Sequence, residues 1–153
     1  MSSTLGYTAK IFGIIGQFGC LFAFLSANAA SLEVQIDGQH GAGTVYATLY
    51  AGPNAHWDDT PVSQANSDTG RLLFDNLSPG QYALQLFQDR NNNQQLDLSK
   101  RGLPLEPVGL SGNPSLLRGR PPPSQCLFTV TEDDQLLQIQ LIEPPSRRSR
   151  LAQ

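Results

Sequence analysis

Phe74-Asp75-Asn76-Leu77-Ser78-Pro79-Gly80-Gln81-Tyr82-Ala83-Leu84-Gln85-Leu86-Phe87-Gln88 is the stretch whose reading decides the fold. Asp75 to Gly80 is a turn signal: Asx side chains bond their own backbone, Pro79 presets φ, and Gly80 tolerates any φ. Asn76-Leu77-Ser78 also fits a glycosylation acceptor, but the Asx turn ahead of Pro79 is the simpler reading. After the turn, Tyr82, Leu84 and Leu86 fall at alternate positions between polar or small neighbours. Period two is the mark of a strand with one buried face.

The same alternation extends outward. Upstream, Arg71 to Phe74 follows Gly70, and Thr44 to Ala51 is rich in β-branched and aromatic residues before Gly52-Pro53-Asn54 stops it. Leu32, Val34 and Ile36 alternate with Glu33, Gln35 and Asp37, ahead of Gly38 and Gly41-Ala42-Gly43. Downstream, Leu127 to Thr131 and Leu136 to Ile142 flank Glu132-Asp133-Asp134-Gln135 and read as a hairpin. No window carries a helical period. The pattern predicts an all-β fold, an antiparallel β-sandwich of about six to seven strands with long Gly/Pro/Asn-rich loops. Leu32, Val34 and Ile36 should face inward with Tyr82, Leu84 and Leu86, because a sheet with one wet face buries alternate residues.

The first 29 residues read as a signal peptide. Lys10 precedes the apolar run Ile11 to Leu25, and Ala27 and Ala29 satisfy the small-x-small rule for cleavage after Ala29. The competing reading is an uncleaved anchor. Against it, the run is broken by Gly13, Gly16, Gln17 and Gly19 and is short of the ~20 apolar residues that a span needs. Cys20 follows Gln17-Phe18-Gly19 and is itself followed by apolar residues, which does not suit a lipoprotein. Cleavage would leave a sandwich domain over 30–143 and a basic, Pro-capped, disordered tail over 144–153. About 120 residues suffice for one core. Loss of Lys10 takes the net charge from −3 to −4, which offers no surface to nucleic acid. The place for such a chain is the periplasm or the outside of the cell, without stable membrane insertion after cleavage. Cys126 would then be alone, a small buried hydrophobe in an apolar strand.

Two stretches are too long for simple turns and are the candidate sites: Gly52 to Gly70 and Arg90 to Gln125. The run Asp89-Arg90-Asn91-Asn92-Asn93-Gln94-Gln95-Leu96-Asp97 opens the second and sets short oxygen-bearing side chains at alternate positions. Ca²⁺ takes six to eight oxygen ligands, which a tight loop supplies from alternate residues and a backbone carbonyl. The expected set is Asp89, Asn91, Asn93, the Gln95 carbonyl and Asp97, with Glu106 as an extra carboxylate. With so few carboxylates the affinity would be on the order of 10⁻⁴–10⁻³ M. The loop departs from a full EF-hand: Gln94 stands where the sharp turn favours Gly, and Lys100 where a bidentate Glu belongs. The other reading is an Asx-rich loop whose side chains hydrogen-bond their own backbone.

Loosely over Leu32 to Ile142, and more specifically over Phe74 to Phe128, the chain resembles DUF2141, a bacterial family of exported domains of unknown function. A Phe-x-Asn-Leu-x-x-Gly-x-Tyr-Ala turn is matched by Phe74, Asn76, Leu77, Gly80, Tyr82 and Ala83. The family's Asp/Asn loop is matched by Asp89, Asn91, Asn93, Leu96 and Asp97, and a following segment by Gly102, Pro104, Glu106, Gly109 and Ser111. Gly119, Pro121 and Pro122 match a further Gly-x-Pro-Pro stretch. The family's His before the loop is Gln88 here and its Gly is Gln94, so a role resting on that His does not carry over. Such domains resemble transthyretin-like and carboxypeptidase-regulatory-like sandwiches, which implies the fold and assigns no activity.

Catalysis finds little support. Ser111 with His40 or His56 and Asp58 or Asp59 supplies the residue types of a nucleophilic triad, but Gly109-Leu110-Ser111-Gly112 is no nucleophile elbow. Zinc would need three or four convergent ligands, and His40 and His56 have no such company at short spacing. Trp57 is either a stacking platform for a sugar or peptide or a loop-packing indole. The expectation is an exported, non-catalytic sandwich that binds Ca²⁺ through its Asp/Asn loop and presents a surface to a protein or glycan partner. The alternative is a hydrolase with a site in the same two loops.

Overall fold

The computed structural model describes residues 29–144. The leader read over 1–29 and the tail read over 144–153 lie, apart from Ala29 and Pro144, outside the described residues. Eight strands are present among the described residues: β1 (Ala30–Asp37), β2 (Thr44–Ala51), β3 (Ser63–Ser67), β4 (Arg71–Leu77), β5 (Gly80–Asp89), β6 (Val108–Leu110), β7 (Leu127–Val130) and β8 (Gln135–Gln140). The only helical turn there is a 3₁₀ turn over Pro123–Gln125, and among the described residues no helix is long and apolar enough to cross a membrane.

The strands form two sheets. The smaller has the order β4-β1-β8; the larger runs β3-β2-β5, with β6 and β7 end to end along the far edge of β5. The alternation read from the sequence decides which side chains lie between them. Leu32, Val34 and Ile36 are buried, as are Val45, Ala47 and Leu49, Leu72 and Phe74, Tyr82, Leu84 and Leu86, and Ile139 and Leu141. The Tyr82 hydroxyl donates to the Ser78 carbonyl at 2.7 Å, which pins the turn that launches β5. β6 approaches the core so closely that a Cβ at Gly109 would lie 2.8 Å from Leu86 and 2.9 Å from Ile139.

The structure departs from the sequence reading in three places. β7 and β8 do not form a hairpin: β7 pairs with β5 and β8 with β1, in different sheets. The residues between them form a crossing, held where Asp134 accepts the Ser31 N–H at 2.9 Å and the Thr131 N–H donates to Gln135 at 3.2 Å. Pairing of β8 with β1 is parallel, the one such pair in an otherwise antiparallel sandwich. Parallel strands need a long crossover, and here nearly the whole domain supplies it. β3 and β6 were not legible as strands, which raises the count to eight.

Candidate functional site

The loop 89–97 leaves the last residue of β5, and β2 comes up against it there. A Cβ at Gly43 would stand 2.4 Å from the Asp89 carbonyl oxygen, so only glycine lets the strands meet at this point. Asp89 is 1% exposed. Its Oδ1 accepts the backbone N–H groups of Asn91 at 3.2 Å, Asn92 at 2.7 Å and Asn93 at 3.3 Å, and its Oδ2 accepts that of Gln94 at 2.7 Å. One carboxylate thus winds the chain round itself. The winding passes through left-handed backbone at Asn92 (φ 62°) and Gln94 (φ 62°). Gln94 therefore makes the sharp sixth-position turn without being glycine.

The side chains at the third, fifth and ninth positions meet. Asn91 Oδ1 accepts the Asn93 N–H at 3.1 Å, and Asn93 Oδ1 accepts the Gln95 N–H at 2.8 Å. The two carboxamides then donate to Asp97, from Asn91 Nδ2 to Oδ2 at 2.6 Å and from Asn93 Nδ2 to Oδ1 at 3.1 Å. Asn91, Asn93 and Asp97 therefore close on one another over the coil that Asp89 winds, and Gln95 stands exposed beside them. Glu106 is 4% exposed and reaches both ends of the loop: Oε1 accepts the Arg90 N–H at 2.8 Å and Oε2 the Asp97 N–H at 3.1 Å. Among the described residues no three of His, Cys, Asp and Glu gather closely enough to hold a metal. A cation at this loop would take its ligands from carboxamide and carbonyl oxygens as much as from carboxylates.

Beneath the loop, Gln88 is fully buried and directs its Nε2 toward the carbonyls of His40, Gly41 and Ala42 at 3.3–3.5 Å. It fixes the turn between β1 and β2. Arg90 donates to the His40 carbonyl at 3.0 Å and pairs with Glu143, tying the chain's last described stretch to the loop. His40 itself is exposed. Beside the loop, a shallow groove of about 420 Å³ crosses the outer face of the larger sheet. Tyr46 and Phe87 stack along it with centroids 5.5 Å apart, and Gln64, Asn66 and Gln94 line it.

Residues of the hydrolase reading are placed elsewhere. Ser111 is fully buried; its Oγ accepts the Leu84 N–H at 2.9 Å and donates to the Cys126 carbonyl. That hydroxyl bridges β5 to the residue before β7, and neither histidine is among its partners. Asp59 accepts the His56 N–H at 2.6 Å and so closes a turn, with Asp58 exposed next to it. Trp57 packs: Tyr50 meets it edge-on at 5.4 Å, the Arg120 guanidinium lies 4.8 Å above its ring, and its Nε1 donates to the Pro121 carbonyl at 2.7 Å. The indole therefore fastens the two long loops together. Burial pushes the Tyr50 hydroxyl above its ordinary pKa, against the lowering effect of the hydrogen bond from Gln85. It also pushes the Cys126 thiol up and the Arg120 guanidinium down. Cys126 is free and fully buried, and its raised pKa keeps it a thiol rather than the reactive thiolate.

The match to known proteins falls on this framework. A family model for an uncharacterized protein conserved in bacteria, DUF2141, matches residues 34–138, which takes in every strand from within β1 into β8 and the whole loop. The chain belongs to this family. No curated protein and no solved structure matches it significantly. For the DUF2141 domain, then, the geometry of the site has to carry the functional reading.

Sequence reasoning missed the position of Glu106 as the clasp of both loop ends. Its placement four residues after Gly102, behind a short apolar stretch, gave no sign that it would be buried. The partnership of Trp57 with Arg120 spans 63 residues and left no local signal either.

Proposed function

We propose that this DUF2141 domain is an exported, non-catalytic module whose loop 89–97 takes Ca²⁺ and presents a surface to a partner in the envelope or outside the cell. The observation that carries the reading is the path of the loop. Asp89, Asn91, Asn93 and Asp97 occupy the first, third, fifth and ninth positions, and the backbone turns sharply at the sixth through Gln94 at φ 62°. Oxygen ligands at those positions, with a carbonyl at the seventh, are what a Ca²⁺ loop supplies. Asn91 Oδ1 and Asn93 Oδ1 each accept one backbone N–H, and a carbonyl oxygen has two lone pairs, so one remains on each for a cation. Binding would turn the carboxamide N–H groups away from Asp97 and free its carboxylate. Glu106 would stay behind the loop, holding Arg90 and Asp97. The Tyr46–Phe87 groove, which Gln94 joins to the loop, is the surface best placed to face a protein or glycan.

Thermal melts in EDTA and in Ca²⁺ test this. A ligand that binds only the folded state stabilises it by RT ln(1 + [L]/Kd), so a millimolar site at ~10 mM Ca²⁺ would add about 1.4 kcal/mol. That corresponds to a Tm rise of roughly 4–8 °C for a domain of this size, present in wild type and absent in Asp97→Ala. Unchanged melts in Ca²⁺, with Asp89→Ala and Asp97→Ala both destabilised, would show a self-bonded turn and defeat the cation reading.

A further inference from the structure

Between the loop and β6 the chain makes a tight hairpin, and its tip brings apolar and basic side chains together at the surface. Leu98 and Pro104 bridge the two arms. The Ser99 N–H donates to the Leu103 carbonyl and the Gly102 N–H to the Ser99 carbonyl, both at 2.8 Å, while Ser99 Oγ accepts the Leu103 N–H at 3.0 Å. At the base the Leu105 N–H donates to the Asp97 carbonyl at 2.9 Å, beside the buried Glu106. Such a hairpin is held in shape by its own backbone. Yet it leaves Leu98 54%, Leu103 42% and Leu105 48% exposed, and residues 100–103 are exposed without a break. Isolated exposed leucines need no explanation. Three within eight residues, around the adjacent cations Lys100 and Arg101, do. Neither cation enters an ion pair among the described residues, and the only carboxylate close in sequence on the C-terminal side, Glu106, is turned inward.

We propose that this hairpin docks the domain reversibly on an anionic lipid surface. Leucines that enter the acyl boundary, with basic side chains that stay among the phosphates, are the two terms of interfacial attachment. Lys and Arg suit that division because their stems lie along apolar surface while the charge stays wet. The charge argument is local: two unpaired cations on a chain whose formal net charge is −3. An exposed tip has no concave surface of its own for a folded partner, whereas a fluid interface yields to it. The proposal goes beyond the partner reading above, which concerns the Tyr46–Phe87 groove, and does not depend on Ca²⁺, since the hairpin is already formed by its own hydrogen bonds.

The test uses the full chain in EDTA, so that no cation bridges protein to lipid. Leu103→Trp and, as a control on the outer face of the smaller sheet, Leu136→Trp are mixed with vesicles of phosphatidylglycerol and phosphatidylethanolamine, or of phosphatidylcholine alone. Both positions are exposed, so neither change disturbs the core. Emission of the Leu103→Trp variant should move to the blue on the anionic vesicles only, and that of Leu136→Trp should not move. Adding Lys100→Glu and Arg101→Glu to Leu103→Trp should weaken vesicle binding on the order of tenfold or more. An unshifted Leu103→Trp, a shift of Leu136→Trp instead, or equal shifts on phosphatidylcholine would overturn the proposal. A blue shift of Leu103→Trp with poly-glutamate but not with vesicles would overturn it too, and would name an acidic peptide as the occupant. Ca²⁺-insensitive melts together with lipid docking would sink the cation reading alone.

Discussion

Gln94 sits in a conformation that costs an L-residue roughly 1–2 kcal/mol, because its Cβ crowds a carbonyl oxygen when φ is positive. The loop accepts that cost because Asp89 holds four successive N–H groups in place, and bonds to a charged acceptor contribute about 1.5–3 kcal/mol each. Gln94→Gly should remove the strain. Gly loses about 0.5–1 kcal/mol more conformational entropy on folding, so the net gain should be about 0.5–1 kcal/mol, read as a higher urea midpoint with an unchanged slope. A lower midpoint would mean that the Gln94 side chain stabilises the groove by more than its backbone strains the turn. The identity of residue 94 was legible in the sequence as a departure. Its φ was not, because no local rule says when neighbouring hydrogen bonds will force a glutamine into glycine's conformation.

At the scale of elements, the larger sheet is covered at one end by the two long loops, and Tyr50 of β2 is where they are joined to it. Its hydroxyl donates to the Trp57 carbonyl at 2.9 Å and accepts from Gln85 at 2.9 Å. Because burial raises the folded-state pKa above the ordinary value near 10, the protonated form is the one that folding favours. The stabilisation is complete below pH about 10 and is lost as pH rises through the folded value. Melts across the alkaline range should therefore show a decline in wild type that is shallower in Tyr50→Phe, and equal declines would place the titrating group elsewhere. Strands with large alternating side chains, such as β1, β2 and β5, were legible in the sequence. β3 was not, because Ser63-Gln64-Ala65-Asn66-Ser67 alternates small with polar side chains and carries no hydrophobic period. β6 was not, because its three residues lie in a segment otherwise full of turns. The false hairpin between β7 and β8 has a related cause: a polar four-residue link reads the same whether its strands share a sheet or face each other across a core. The loop 89–97 stood out as a cluster of Asx residues, but its wiring to Glu106 is a tertiary fact.

For the molecule as a whole, the smaller sheet depends on both ends of the domain. β1 lies at its centre, and its parallel partner β8 is the last strand among the described residues, with Ile36 in register with Ile139. Ending the chain at Asp134 would leave β1 with an open edge and remove Ile139 and Leu141 from the core. Loss of one such large buried aliphatic costs about 2–5 kcal/mol, and a domain this size has about 5–15 kcal/mol in total. The shortened chain should show no cooperative urea transition; a sharp one would mean that the larger sheet is stable alone. The pairing also sets an order in time. Contacts this distant in sequence form late, since the ends must find each other before the pairing repays the entropy of closure. A chain emerging from a ribosome first residue foremost has its central strand β1 waiting, half-paired at most, until almost all the rest of the domain has been made. The smaller sheet is thus the domain's final act, and a chain threaded through a narrow pore before that moment would have little finished structure to undo.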